Sequence, residues 1–311
     1  VKALTTSRGA PTGAIFGFVN ILLKIIRDAK PDYIAVSFDL PYPTFRHKEF
    51  EEYKIQRPPM PGALSQQLGM MKDVVRAYRI PVYECKGYEA DDVLATLASE
   101  LSRAEIDTYI VSSDKDILQL IGEHIFVYDP GKDGAVYDRE YIQSKFGISP
   151  AQLVDMIALA GDVSDNIPGI PGIGKKTALD LIKSFESIEK LIEKIDEVKS
   201  VKIKEALKSH VKEAISYKHL VNLCCQAPIE MDLSQMQCQE PSKDKLYEIF
   251  KALEFKKFMK LYADKDQQTE AISFLTVETE SMAQACLEKI KKEKRFGFSV
   301  KCDMQNQTHI A

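Results

Sequence analysis

The sequence predicts an α/β fold with a mostly parallel sheet and flanking helices, followed by a helical subdomain. Three observations point there. Short apolar runs alternate with amphipathic segments over residues 1–146, as in repeating βα units. Strand signals then stop, and helical periodicity dominates up to residue 263. Acidic residues recur just after the apolar runs, where the sites of parallel sheets form.

The elements follow in order. Ile15, Phe18, Val19, Leu22, Leu23 and Ile26 recur at helical spacing, with Thr12 placed as N-cap and Pro31 as the stop. The run Tyr33-Ile-Ala-Val-Ser-Phe38 reads as a strand buried on both faces and ends at Asp39. A Pro-rich, basic and aromatic stretch over residues 41–61 is too punctuated for a core element and long for a plain connection, which marks it as functional or mobile. The spacing then predicts helix 64–79, strand 80–84, helix 90–104, strand 108–112, a short helix 117–121 and strand 125–128. Residues 264–270 are polar and linker-like. Residues 272–277 and 296–300 read as strands around a helix over 282–292. Three segments result: an α/β core over 1–146, a helical unit over 147–263, and a linker with the start of another domain over 264–311.

Two domains suit a chain of 311 residues. No apolar run approaches the roughly 20 residues of a membrane helix. Lys and Arg total 42 against 46 Asp and Glu, a net charge of −4. Bulk charge is therefore no attractor for nucleic acid, and any binding must come from local patches. Six cysteines without C-x-x-C spacing read as reduced thiols, so the expected location is the cytoplasm.

Carboxylates at element junctions are the most informative feature. Asp39 closes the first strand; Glu89, Asp91 and Asp92 lie in GYEADD at a helix entry. Asp114 and Asp116 follow YIVSS, and Asp162 and Asp165 lie in ALAGDVSDN at a helix exit. A single strand-end Asp is commonly a cap or turn residue. Four such groups at successive junctions converge, in a parallel sheet, on one edge. Like charges a few ångströms apart repel by about 4 kcal/mol at an effective dielectric of 20, so the cluster must bind protons or cations. An all-oxygen donor set without His or Cys suits Mg²⁺ or Mn²⁺ rather than Zn²⁺. Two ions about 4 Å apart are the arrangement for in-line phosphodiester displacement.

Ile167-Pro-Gly-Ile-Pro-Gly-Ile-Gly-Lys-Lys-Thr-Ala-Leu fits a helix–hairpin–helix. Gly172 and Gly174 allow close backbone approach, and their N–H groups with the next helix N-terminus suit a phosphate. Lys175, Lys176 and Thr177 follow, and such contacts hold the backbone without reading sequence. It is not a P-loop, because Lys176 stands where the Ser or Thr hydroxyl would be. In the segment from Thr44 to Arg57, Arg46, Lys54 and Arg57 suit phosphates, and Phe45 or Tyr53 suit base stacking.

FDLPYPTFRHKEFEEYKIQRPPMP, GYEADDVLATLA, VSSDKDILQL and LAGDVSDNIPGIPGIGKKTAL resemble, in order, the 5′ nuclease (5′-3′ exonuclease) domain of the bacterial DNA polymerase I family. The similarity spans about residues 4–223. It implies a PIN/flap-endonuclease-like fold and Mg²⁺-dependent (or Mn²⁺-dependent) cleavage of DNA at 5′ flaps or nicks, with removal of RNA primers. It further implies that Asp39, Glu89, Asp91, Asp92, Asp114, Asp116, Asp162 and Asp165 hold two or more ions. Arg46 would approach the scissile phosphate, and Lys54 with Arg57 would belong to the arch admitting the 5′ strand. A monomer away from membranes is expected.

The family's domain opens with a strand ending in a catalytic Asp ahead of the matching LTTSRGAPTGAIFGF, so this sequence reads as beginning downstream of it. The tail KRFGFSVKCD resembles the start of a 3′-5′ exonuclease-like domain in which Ser299 and Lys301 replace an Asp-x-Glu pair. Two other functions compete. One is a non-catalytic module that grips branched DNA without that first Asp. The other is a haloacid-dehalogenase-type phosphatase, which needs a D-x-D pair that Asp39-Leu40-Pro41 lacks.

Overall fold

The computed structural model describes residues 4–263 and 279–292. The chain divides into two compact units, Val1–Tyr262 and Ala263–Ala311. In the second, the described element is a helix, Glu280–Lys292. The strands expected at 272–277 and 296–300, and Ser299 with Lys301, lie outside the described residues.

The first unit starts with α1 (Gly13–Ala29), β1 (Val36–Ser37), α2 (Phe45–Glu49), α3 (Gly62–Ala77), β2 (Val82–Tyr83) and α4 (Ala90–Arg103). β3 (Thr108–Val111), β4 (Ile125–Asp129) and β5 (Ala135–Tyr137) follow, with a 3₁₀ turn at Asp116–Leu120. The remainder is helical: α5 (Arg139–Phe146), α6 (Gln152–Ala160), α7 (Lys175–Phe185), α8 (Ile188–Glu193), α9 (Val201–Ser209), α10 (Val211–Val221), α11 (Leu233–Met236), α12 (Lys243–Ala252) and α13 (Lys256–Tyr262). No helix among the described residues is long and apolar enough to cross a membrane.

The expected elements appear, with three differences. The parallel pairs β1–β2 and β3–β4 belong to two separate sheets, and β5 adds an antiparallel edge to β4. The first strand shortens to Val36–Ser37, and both residues are half-buried. Thr12 is buried but makes no side-chain cap; instead Gln67 Oε1, reaching from α3, accepts the N–H groups of Ala14 and Ile15 at 3.0 and 3.1 Å. A side chain distant in sequence satisfies the orphan donors that the local cap leaves open.

One apolar core runs from Ala95, Ile110 and Val127 through Ile142 and Leu159 to Ala178, Ile182 and Leu207. The segments 1–146 and 147–263 thus share their interior. A second cluster packs Ile15, Val19 and Val74 against Leu246, Phe250 and Phe258, joining α1 and α3 to the C-terminal helices α12 and α13.

The α6–α7 connection depends on two glycines. Asp162 and Ile167 exchange backbone hydrogen bonds of 2.8 Å, folding 162–167 into a tight loop. Gly161 (φ +79°) and Gly169 (φ +69°) then face each other so closely that a Cβ on Gly169 would lie 2.4 Å from the Gly161 nitrogen. Left-handed backbone and steric exclusion combine here. Gly169→Ala is therefore expected to cost about 2 kcal/mol or more, read as a lowered midpoint in thermal denaturation, whereas Gly174→Ala, where a Cβ meets nothing within 4 Å, should leave the midpoint within about a degree.

Candidate active site

The parallel strands aim their carboxyl ends at one cleft. Asp39 follows β1, Glu89 and Asp91 stand at the start of α4 just after β2, and Asp114 and Asp116 follow β3. The glycine-bounded loop adds Asp162 and Asp165. These seven acids line a single cleft with Arg46, His47, Tyr53, Lys54 and Arg57. Local backbone donors orient several of them. Asp39 Oδ1 accepts Ala90 N–H at 2.8 Å, Asp114 Oδ1 accepts Asp116 N–H at 3.0 Å, and Asp162 Oδ1 accepts the N–H and hydroxyl of Ser164 at 2.6 Å each.

The cleft has two electrostatic halves. In one, the acids face each other. Burial, and then the charges of Asp114, Asp39 and Glu89, push the Asp91 carboxyl up to about 7. Burial, with Asp114, Asp162, Asp165 and Asp91, pushes Asp116 up to about 7 as well. Among the described residues, no three His, Cys, Asp or Glu side chains already converge as a metal site. The donor chemistry nonetheless fits a hard cation: the lining is rich in carboxylate oxygen, and the crowded charge favours added positive charge.

In the other half, cations from the 44–57 segment occupy the acids. Lys54 Nζ donates to Glu89 Oε1 at 2.7 Å and lies 3.7 Å from Asp165 Oδ2. Arg57 donates to Asp165 Oδ1 at 2.6 Å and to the Ser164 carbonyl at 3.1 Å. The Tyr53 hydroxyl donates to Asp165 Oδ2 at 2.8 Å and lies 3.2 Å from Glu89. The backbone follows: Lys54, in the left-handed region at φ +54°, donates to the Asp165 carbonyl at 3.0 Å, and Asn166 Nδ2 donates to the Glu52 carbonyl at 2.8 Å. Residues 52–57 are thereby strapped onto the 162–166 loop.

Three sequence expectations need correction. Asp92, expected among the metal-holding acids, is fully buried and outside the cleft lining. Its oxygens accept Arg46 at 2.7 and 2.8 Å, Glu89 N–H at 3.0 Å and Cys224 N–H at 2.9 Å, which fills its acceptor sites. Arg46, expected at the scissile phosphate, is 1% exposed and also donates to the carbonyls of Leu220 and Asn222. Burial opposes its charge, but the paired Asp92 holds the guanidinium protonated. Tyr53, expected to stack on a base, is 2% exposed and packed against Val154, Ile167, Leu220 and Val221. Charge pairing and apolar packing, both long-range in sequence, decide all three.

Gly172, Gly174, Lys175, Lys176 and Thr177 lie around the N-terminus of α7 and do not line the cleft. Gly172 has φ +82°. Lys175 and Lys176 are exposed, with no ion-pair partner among the described residues. Sequence reasoning missed His47, Thr44 and Tyr88 on the cleft wall; the Thr44-x-x-His47 spacing of a reciprocal helix cap was the available signal.

The saturated Asp92 yields a discriminating variant. Asp92→Asn should destabilise the fold by about 3 kcal/mol, because it leaves buried Arg46 uncompensated. Chemical denaturation measures this; a variant as stable as the parent would return Asp92 to the group of candidate ligands.

The comparisons with known proteins speak to the family and the fold. Residues 1–147 match the family model described as 5'-3' exonuclease, N-terminal resolvase-like domain, and residues 148–244 match 5'-3' exonuclease, C-terminal SAM fold. A DNA polymerase I of Bacillus subtilis is 39% identical over 88% of this chain and 32% of its own length, so the chain spans about a third of that relative. A 5'-3' exonuclease of Aquifex aeolicus is 38% identical over 83% of this chain and 87% of that protein. Among solved structures, the T5 D15 protein co-crystallized with metal ions superposes with a TM-score of 0.59 at 20% identity, covering 79% of this chain and 91% of that one. The catalytic core of Rad2 in complex with DNA substrate gives 0.55 at 17% identity, covering 81% and 82%. At such identities the two structures speak for the fold. With residues 1–244 matched by the family's two models and a relative matched over most of its length, the chain belongs to the 5'-3' exonuclease family of nucleases.

Proposed function

We propose that this protein hydrolyses DNA phosphodiesters at 5′ flaps and nicks, and removes RNA primers, with two or more Mg²⁺ or Mn²⁺ ions. We further propose that it acts as part of a DNA polymerase I. The observation that carries the reading is the acid-lined cleft in which Asp91 and Asp116 are both pushed up to about 7. Asp39, Asp91, Asp114, Asp116 and Asp162 would hold the ions, because none of these five has a cationic side chain paired to it. Bound there, divalent ions supply a hydroxide nucleophile and stabilise the departing oxygen.

The chain's own residues do the rest. Lys54 and Arg57 hand their donors from Glu89 and Asp165 to the phosphates of the entering strand, an exchange of one anionic partner for another. Arg46 holds Asp92 and the 220–222 backbone and thereby keeps the start of α4 fixed under Glu89 and Asp91. Gly172, Gly174 and the first turn of α7, with Lys175, Lys176 and Thr177, grip the duplex by its backbone. The exposed start of α7 and its unpaired lysines support this assignment.

Cleavage of a labelled 5′-flap substrate tests the proposal. Asp114→Ala or Asp116→Ala should lower the Mg²⁺-dependent rate at least about a hundredfold, on the scale of lost electrostatic stabilisation at a reacting phosphate. Flap binding in Ca²⁺ with no turnover by the parent protein in Mg²⁺ or Mn²⁺ would favour a purely binding module instead. A pH experiment probes the acids separately. Their folded-state values near 7 exceed the unfolded value of about 4, so the native state takes up protons more readily. Their contribution to stability is full below pH ~4 and is lost as pH rises through ~7. In a chelator, the melting temperature should therefore drop by several degrees between pH 5 and pH 7.5. Mg²⁺ should restore it at pH 7.5 and have little effect at pH 5.

A further inference from the structure

The donors on the cleft wall differ in whether they are already engaged. Every arm of Arg46 is bonded, to Asp92 and to two carbonyls. Lys54, Arg57 and the Tyr53 hydroxyl sit on Glu89 and Asp165. His47 is different. Its Nδ1 lies 3.2 Å from the Thr44 backbone N–H and 2.9 Å from the Thr44 hydroxyl. A backbone N–H can only donate, so Nδ1 carries the lone pair and the ring hydrogen resides on Nε2. The ring is fixed a second time, edge to face against Tyr53 at 5.3 Å and 87°. His47 lines the cleft, and its Nε2 has no hydrogen-bond partner among the described residues. Tyr42 and Tyr88 share that wall, but their hydroxyl hydrogens rotate and are not pre-aimed.

We propose that His47 is a phosphate-binding residue of this cleft, its Nε2–H donating to a non-bridging phosphate oxygen of the entering strand. The inference rests on the nuclease reading above. A preset N–H serves an anion where the cleft's cations must first leave their own carboxylates. An imidazole whose Nδ1 already accepts the Thr44 N–H adds a contact through its other ring nitrogen.

Two isosteric variants separate this role from a structural one. In His47→Asn, Oδ1 takes the place of Nδ1 and keeps the Thr44 N–H satisfied, while the Nε2 donor is lost. In His47→Gln, the side-chain amide nitrogen replaces Nε2. Binding of a 5′-flap DNA in Ca²⁺ is measured alongside melting temperature. His47→Asn should weaken binding about tenfold, the range for a lost hydrogen bond to a charged group, with an unchanged melting temperature. His47→Gln should recover most of that affinity. Parent-like binding by His47→Asn overturns the proposal, as does equal weakening in both variants with lowered melting temperatures. A parent protein that neither binds flap DNA in Ca²⁺ nor cuts it in Mg²⁺ overturns the nuclease reading itself, and the role of His47 falls with it.

Discussion

Mutual repulsion among the cleft's carboxylates is the constraint on which the rest of this structure depends. Seven acids from four separate junctions meet in one place, and the fold tolerates them by unequal means. Glu89 and Asp165 have resident cations. Asp91 and Asp116 have none and are driven toward protonation. A site of this kind carries unfavourable charge that added positive charge would relieve, a property of the architecture rather than of any one carboxylate.

Behind the cleft lies a buried ion pair. Arg46 and Asp92 form a bidentate pair that is almost wholly buried and fully hydrogen-bonded. Such a pair contributes little net stability against an apolar replacement, because desolvation offsets the attraction. Its effect here is geometric. It ties α2, the start of α4 and the end of α10 to one another, so that acids contributed by distant segments keep a common frame.

The strap over residues 52–57 is tied into that frame. Its cations hold the 162–166 loop through Asp165, and the loop in turn is shaped by the close approach of Gly161 and Gly169. Any shift of Lys54 or Arg57 away from Glu89 and Asp165 would therefore also free carboxylate oxygens beside the remaining acids. The position of the strap and the charge balance in the cleft are coupled through the same few side chains.

Much of this was legible in the linear chain. Alternating apolar runs and periodic helices specified the elements, because hydrophobic patterning is local. Acids placed after strands specified the cleft, because parallel strands present their ends on one edge. The sequence did not reveal the antiparallel β5, whose three residues carry too little pattern, nor the Gln67 cap on α1. It also could not sort the acids. Asp91 and Asp92 are neighbours of identical chemistry, yet one faces the cleft and the other is sealed against Arg46. Tyr53 and Lys54 likewise differ in burial by their packing alone. Sequence by itself determined which residue types and which junctions would make the site. Tertiary structure alone decided which carboxylates stay available, because ion pairing and burial depend on contacts between segments up to 176 residues apart.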